Sequence, residues 1–391
     1  LKPGTRFLVQ PLVLAVLAVA ASTVSAQGPS AKSASGTLSN GLAWEAQSFI
    51  VGTQTTGSLF GTAGNAAYHA SFPGLANGVV GLTMAYSAGS FICTGTLLPD
   101  RQSILTAAHC VSDGFGASGP INLPNSTAVR FQPANGLTAG TSIFASAAAT
   151  VISVTDYFVH PQYTGQVIDQ NDIAVLRLAA PAPDWAQAFG LYQPAGGLTG
   201  EGFNVFGYGN TGAGGTGTNI LSITGRLRQG ENRFDFRWGD ADWNGVWDGA
   251  FDNPNLPAAQ TAFSYLSDFD NGNTANDASC LLAASESLGG AKYCNTGVGL
   301  REVGLGGGDS GGPSFINGRI ASVNSYGLSF GTAFGDAVAG LNSSFGEFSG
   351  YVPVYIHADF INAALVPEPG TYGLMALGLL GVAAAARRRR G

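Results

Sequence analysis

Ser310 stands in the run Gly308-Asp309-Ser310-Gly311-Gly312-Pro313, a hydroxyl set in a glycine-rich turn with backbone N–H donors on either side. A serine hydroxyl is a weak nucleophile. It becomes reactive when a general base takes its proton and a third group holds that base in the right tautomer. The chain offers both partners upstream. His109 lies in Leu105-Thr106-Ala107-Ala108-His109-Cys110, where small residues permit tight packing, and Asp172 opens the apolar run Asn171-Asp172-Ile173-Ala174-Val175-Leu176. Base, orienting carboxylate and nucleophile, in the order His, Asp, Ser, are the equipment for acyl transfer through a covalent intermediate.

Short strands must position these groups. Runs of β-branched and aromatic residues recur between turn signals at 90–98, 150–159, 173–178, 203–207, 220–228, 319–326 and 351–356. Such a series predicts an antiparallel barrel or sandwich, with residues 357–365 as a closing helix. Other titratable residues have plainer expectations. Asp169 lacks the apolar context of Asp172 and is expected in a solvated loop; His160 sits in a turn, and His69 and His357 have no catalytic surroundings.

The three segments, in this order, resemble the chymotrypsin/trypsin-like serine endopeptidases. The likeness extends to Gly89 to Leu98 (GSFICTGTLL), to His160-Pro161-Gln162-Tyr163 ahead of the Asp, to Phe206-Gly207-Tyr208-Gly209, and to Ser325-Tyr326-Gly327, where Tyr replaces the usual Trp. It implies an all-β fold of two packed six-stranded antiparallel β-barrels with a short C-terminal helix and the triad between them. It also implies an oxyanion hole from the N–H groups of Gly308 and Ser310, and a substrate pocket at Gly304, Ser325, Tyr326 and Gly327. Protein or peptide substrates would follow, with no cofactor needed for catalysis. A non-catalytic surface or matrix binding protein on the same fold is the rival reading, and ester hydrolysis by the same triad is a third.

The resemblance pairs Cys93 with Cys110 and Cys280 with Cys294. Each bridge would close a loop of about 15 residues, worth on the order of 3 kcal/mol by the chain-entropy argument. An even cysteine count without C-x-x-C spacing suits an oxidising compartment rather than a thiolate metal site.

Three departures from the family pattern stand out. Gly306 replaces a Cys that often tethers the loop before the nucleophile. Gly304, at the pocket base, offers no carboxylate, so a preference for Arg or Lys is not implied; Glu302 and Arg301 are the nearby charges. In the family a new N-terminus of Ile-Val-Gly-Gly type inserts beside the Asp preceding the nucleophile, here Asp309. Ile50-Val51-Gly52-Thr53 is the candidate, farther from Cys93 than usual.

An insertion runs from about 230 to 279. Within it, Asp240-Ala241-Asp242-Trp243-Asn244-Gly245-Val246-Trp247-Asp248 follows the order of calcium loops, with Phe251 where a Glu is expected. Asp240, Asp242, Asn244 and Asp248 are thus candidate ligands for a structural Ca²⁺. A second cluster, Asp268-Phe269-Asp270-Asn271-Gly272-Asn273 with Asp277, repeats the theme more loosely.

Charged residues make up 10% of the 391, and the formal net charge is −7. Lys2, Arg6 and Arg387 to Arg390 lie at the two ends, so the body between them is more acidic still. A phosphate-binding surface needs the opposite sign, which argues against nucleic acid as a partner.

The ends describe a route. Residues 1–26 carry a basic start, an apolar run and Val24-Ser25-Ala26 as a cleavage site, the three regions of a signal peptide with its helix. Val366-Pro367-Glu368-Pro369-Gly370, an apolar helix to Ala386 and the Arg cluster resemble the PEP-CTERM sorting signal. That likeness implies signal peptidase and exosortase as processing partners, transient membrane contact, and export through the periplasm of a Gram-negative bacterium to the surface or beyond. The apolar run rises about 24 Å as a helix, short of the roughly 30 Å hydrocarbon core. The expected organisation is therefore a signal peptide at 1–26, an extension or propeptide at 27–76, a protease domain at 77–365 and a sorting segment at 366–391.

Overall fold

A computed structural model describes residues 33–38, 41–47, 50–52, 77–133, 141–221 and 225–365. The expected signal peptide, His69 and the sorting segment lie outside the described residues.

The extension contributes a hairpin, β1 (Ala34–Thr37) with β2 (Ala43–Gln47), and a short strand, β3 (Ile50–Gly52). Next come β4 (Val79–Tyr86) and β5 (Gly89–Leu97), joined by a tight turn in which Gly89 has φ +149°. β6 (Ser103–Thr106) follows, then a small hairpin of β7 (Phe115–Gly116) and β8 (Gly119–Pro120). β9 (Ser126–Phe131), β10 (Thr150–Val159) and β11 (Ala174–Leu178) complete a closed barrel in the order β10-β11-β6-β5-β4-β9. Its core is filled by Leu82, Met84, Leu97, Ile104, Val129 and Phe131, all fully buried. Side chains of this size fill the interior of a six-stranded barrel.

The second body contains β12 (Gly202–Gly207), β13 (Thr211–Ala213), β14 (Gly217–Leu221), β15 (Arg228–Arg233), β16 (Phe236–Arg237) and β17 (Tyr265–Asp268). After helix α1 (Ala278–Ser285) come β18 (Val303–Leu305), β19 (Pro313–Ile316), β20 (Arg319–Ser329) and β21 (Phe348–Pro353). The sheet order is β15-β12-β19-β20-β21-β17-β16, with β2 added to β20. The mostly β, trypsin-like expectation holds, yet the second six-stranded barrel is a half-barrel. β18 joins β3 and β13 in a separate small sheet instead of closing the large one. The closing helix is α2 (Ala358–Ala364), whose Ile361 is fully buried. Among the described residues no helix is long and apolar enough to cross a membrane.

The insertion is partly structural. β15 and β17 are strands of the main sheet, while the turn after β16 folds Trp243, Trp247 and Phe251 into an aromatic cluster with Trp238. β2 joins that cluster through Trp44, whose ring meets Phe251 edge-on at 5.1 Å.

Candidate active site

Each of the three segments is held by its neighbours. Ala107 and Ala108 are fully buried, and the 3₁₀ turn Ala108–Cys110 brings His109 off the end of β6. The Cys93–Cys110 bridge, with Cα atoms 6.2 Å apart, ties this turn to β5. β11 pairs with β6 through Ala174 opposite Thr106, and that register sets Asp172 beside the same turn. His109 N–H donates to Asp172 Oδ1 at 2.7 Å, and its Nδ1 meets Asp172 Oδ2 at 2.7 Å. The Ser325 hydroxyl donates to Oδ2 at 2.6 Å.

A carboxylate only accepts, so the His109 Nδ1 contact requires N–H there and leaves Nε2 with the free lone pair. Asp172 is 1% exposed, and burial by itself would raise its carboxyl. The charge and hydrogen bonds of His109, with the Ser325 hydroxyl, outweigh that and hold it below the ordinary carboxylate range.

The turn that carries Ser310 is gripped from both bodies. Thr94 of β5 donates its N–H to the Ser310 carbonyl at 2.8 Å and its hydroxyl to the Gly308 carbonyl at 2.8 Å. Cys110 Sγ lies 3.7 Å from the Ser310 carbonyl oxygen, so Ser310 sits against the chain neighbour of His109. Asn324 of β20 accepts from Gly311 N–H and donates its side-chain amide to the Asp309 carbonyl. Gly308 has φ +100° and Gly311 φ +81°, conformations that glycine adopts without a side-chain clash. The N–H groups of Asp309, Gly311 and Gly312 bond to the carbonyls of Gly306, Asn324 and Asp309. Among the described residues, the N–H groups of Gly308 and Ser310 have no such acceptor.

Asp309 is buried, and its carboxylate accepts from Gly209 N–H at 2.8 Å and Gly306 N–H at 3.1 Å. Burial pushes it well up, against the opposing charge of Arg228 and the Gly209 bond. A Cβ on Gly207 or Gly209 would strike this carboxylate, which accounts for the Gly-aromatic-Gly spacing. Ile50–Gly52, the candidate new N-terminus, lies in β3, paired with Leu305 to Val303 of β18.

The expected pocket residues converge on β18 and β20. Gly304 faces Phe269, whose ring would stand 3.1 Å from a Cβ there. Tyr326 is fully buried, and its hydroxyl is met by Trp238 Nε1 at 2.9 Å and Ser264 Oγ at 2.7 Å. Gly327 is flanked by Ser349 of β21 and by Gln47 of β2. Glu302, a nearby charge in the sequence, is turned into the protein: it accepts from Asp270 and Val298 N–H groups at 2.6 Å each.

Asp169 corrects the solvated-loop expectation. It is fully buried and accepts from Thr164 N–H and hydroxyl and from Asn171 N–H, at 2.7–2.8 Å, which makes it the anchor of the turn leading into Asp172. His160 meets His357 edge-on at 4.7 Å and Phe360 edge-on at 4.9 Å, a packing role. Cys280 and Cys294 are bonded, which ties α1 to the loop after it. Thr94 and Asn324 carry no distinguishing sequence signal, and their part in holding the turn was not foreseen.

In the calcium-like loop, Asp240 pairs with Arg237 at 3.0 Å and Lys292 at 3.1 Å, and Asp242 with Lys292 at 2.9 Å. Asn244 takes the left-handed conformation that ends the 3₁₀ turn Ala241–Trp243. Among the described residues, two groups of three His, Cys, Asp or Glu side chains are close enough to share an ion: Cys93-His109-Cys110 and Asp268-Asp270-Asp277. The first is excluded as a ligand set because both sulfurs are in the disulfide.

Residues 65–235 match the Trypsin family model, and residues 365–390 match the PEP-CTERM protein-sorting motif. The chain carries a trypsin-like domain and a PEP-CTERM sorting motif. A trypsin of Saccharopolyspora erythraea is 30% identical over 128 residues, 32% of this chain and 48% of that protein. The chain therefore spans about half the length of this curated relative. The family match to the trypsin-like domain includes His109 and Asp172 and ends before Ser310. The sorting motif marks the trypsin-like protein for export through the Gram-negative envelope to the cell surface.

Proposed function

We propose that this exported trypsin-like protein is a serine endopeptidase with His109 as base, Asp172 as orienting group and Ser310 as nucleophile. The reading is carried by the 2.7 Å contact of His109 Nδ1 with the buried Asp172, on a turn whose next residue, Cys110, touches the Ser310 backbone.

His109 Nε2 takes the Ser310 proton as Oγ attacks a peptide carbonyl, and Asp172 stabilises the imidazolium that forms. The proton then passes to the leaving amine. Water repeats the sequence on the acyl-enzyme. The N–H groups of Gly308 and Ser310 bind the oxyanion, and one such donor is typically worth about 10²–10³ in rate. Gly304, Ser325, Tyr326 and Gly327 form the primary pocket, whose uncharged base suits an uncharged side chain. A signal peptidase cuts after Ala26 and an exosortase near Pro367-Glu368-Pro369.

The test is labelling of the exported protein with a fluorophosphonate, beside Ser310→Ala. Wild type should label and hydrolyse a peptide substrate, and the variant should do neither. A folded wild type that fails to label would overturn the reading in favour of a binding protein on this fold.

A further inference from the structure

Five carboxylates converge behind the nucleophile loop. Asp268 ends β17, Asp270 follows it, Asp277 caps α1, Asp235 leads into β16, and Glu302 precedes β18; each is at most 2% exposed. Most are satisfied. Asp235 accepts from Asp268 N–H and from the Asn295 amide, Asp268 from Ser279 N–H, Asp277 from Cys280 N–H, and Glu302 from two backbone groups.

Asp270 is the exception. It is 1% exposed, and neither carboxylate oxygen has a hydrogen-bond partner among the described residues. A buried carboxylate without a partner is costly, and this one has like charges as neighbours. Oxygens of Asp268, Asp270 and Asp277 lie within 4.8 Å of one another, the spread of ligands around a single ion. Arg233 is directed at Asp235 with a 3.7 Å contact, and among the described residues it forms no ion pair with these three.

We infer that Asp268, Asp270 and Asp277 bind one hard divalent cation, with Ca²⁺ the expected ion. Carboxylate oxygens from a loop and a helix start suit its large, irregular coordination shell better than the strict octahedron of Mg²⁺. The contrast with Asp240 and Asp242 is chemical: there the Lys292 ammonium and Arg237 supply the positive charge within the protein. Asp270 has no such partner among the described residues. The ion would fix Phe269 against Gly304 and Glu302 against the Asp270 backbone, bracing β18 just before the nucleophile turn.

This inference is independent of the protease reading, because binding can be measured on the full exported protein carrying Ser310→Ala, where self-digestion does not interfere. After EGTA treatment and desalting, Ca²⁺ is titrated by calorimetry and by thermal melting. One site is expected, with a saturable rise in Tm as ligand binds the folded state. Asp270→Asn is nearly isosteric and removes no observed hydrogen bond; it should fold, as checked by circular dichroism, and lose at least tenfold in Ca²⁺ affinity. Asp242→Asn should bind as the parent does. Absence of binding by the parent at millimolar Ca²⁺ would overturn the inference. So would unchanged affinity in folded Asp270→Asn, or loss of the site in Asp242→Asn.

Discussion

The hydroxyl of Ser325 and the imidazole of His109 converge on one oxygen of Asp172, at 2.6 Å and 2.7 Å. With His109 N–H on the other oxygen, three donors fix the carboxylate in place. Its low pKa means that the ionised form is held above ordinary acid strength, and that this contribution to stability is lost as pH falls through the folded-state value.

Removing the Ser325 donor should therefore move the carboxyl back up. In Ser325→Ala we expect kcat to fall about tenfold with KM little changed, and the acid limb of the stability–pH curve, where Asp172 takes up its proton, to shift to higher pH. Asp172→Asn should cost far more, about 10⁴ in kcat, because it favours the wrong tautomer. An acid limb that does not move in Ser325→Ala would show that this bond does not tune the carboxylate.

Gly311 tests the nucleophile turn. Its φ is +81°, and a Cβ would run into the Thr94 carbonyl and the Thr106 hydroxyl. Gly311→Ala should lose fluorophosphonate labelling and about 1–3 kcal/mol of stability. Gly318→Ala, at φ +71° with open space around it, should lose only about 1–2 kcal/mol and keep its labelling. Equal behaviour of the two variants would remove the steric explanation.

The edge-on pair His160 and His357 predicts acid sensitivity. Burial pushes each imidazole down to about 4, from an ordinary value near 6.5. Between those values the unfolded chain binds more protons, so stability should fall as pH drops from 6.5 toward 4. For His357, which also bonds to the Gln170 carbonyl, the loss is at most about 3 kcal/mol. Urea titrations across this window should show His357→Gln with a shallower pH dependence than wild type; parallel curves would dismiss the pair as the source.

Trp44 should be the latch of the N-terminal hairpin. Its burial in the aromatic cluster and its edge contact with Phe251 are the main apolar attachment of β2. Trp44→Ala should weaken docking by about 3–5 kcal/mol. Limited proteolysis would then cut around residues 33–52 first, with the barrel left intact; unchanged digestion would assign the docking to β-pairing.

The segments that carry His109, Asp172 and Ser310 were legible because each is a distinctive local run, and local runs survive in sequence. Strands at 150–159 and 203–207 were likewise readable from their β-branched and aromatic content. β4 was not picked out, since its burial on both faces erases alternation. Asp169 misled because its donors come from the turn it organises, which composition does not display. The order of Asp240 to Asp248 is that of an ion loop, but Lys292, far along the chain, sits against its acids. Asp270 shows the converse, since its isolation arises when Asp235 and Glu302, distant in sequence, fold beside it with Asp268 and Asp277.

The strand β2 lies antiparallel on β20, with Gln47 opposite Gly327, immediately beyond Ser325 and Tyr326. An extended peptide adding to this edge meets a place already taken by the chain itself. A tethered strand competes at an effective concentration on the order of millimolar, so a free peptide of ordinary affinity starts at a disadvantage that no change in the triad can remove. On the proposed protease reading, a peptide that pairs with this edge must first displace the hairpin, and the contact of Trp44 with Phe251 is among those it has to break.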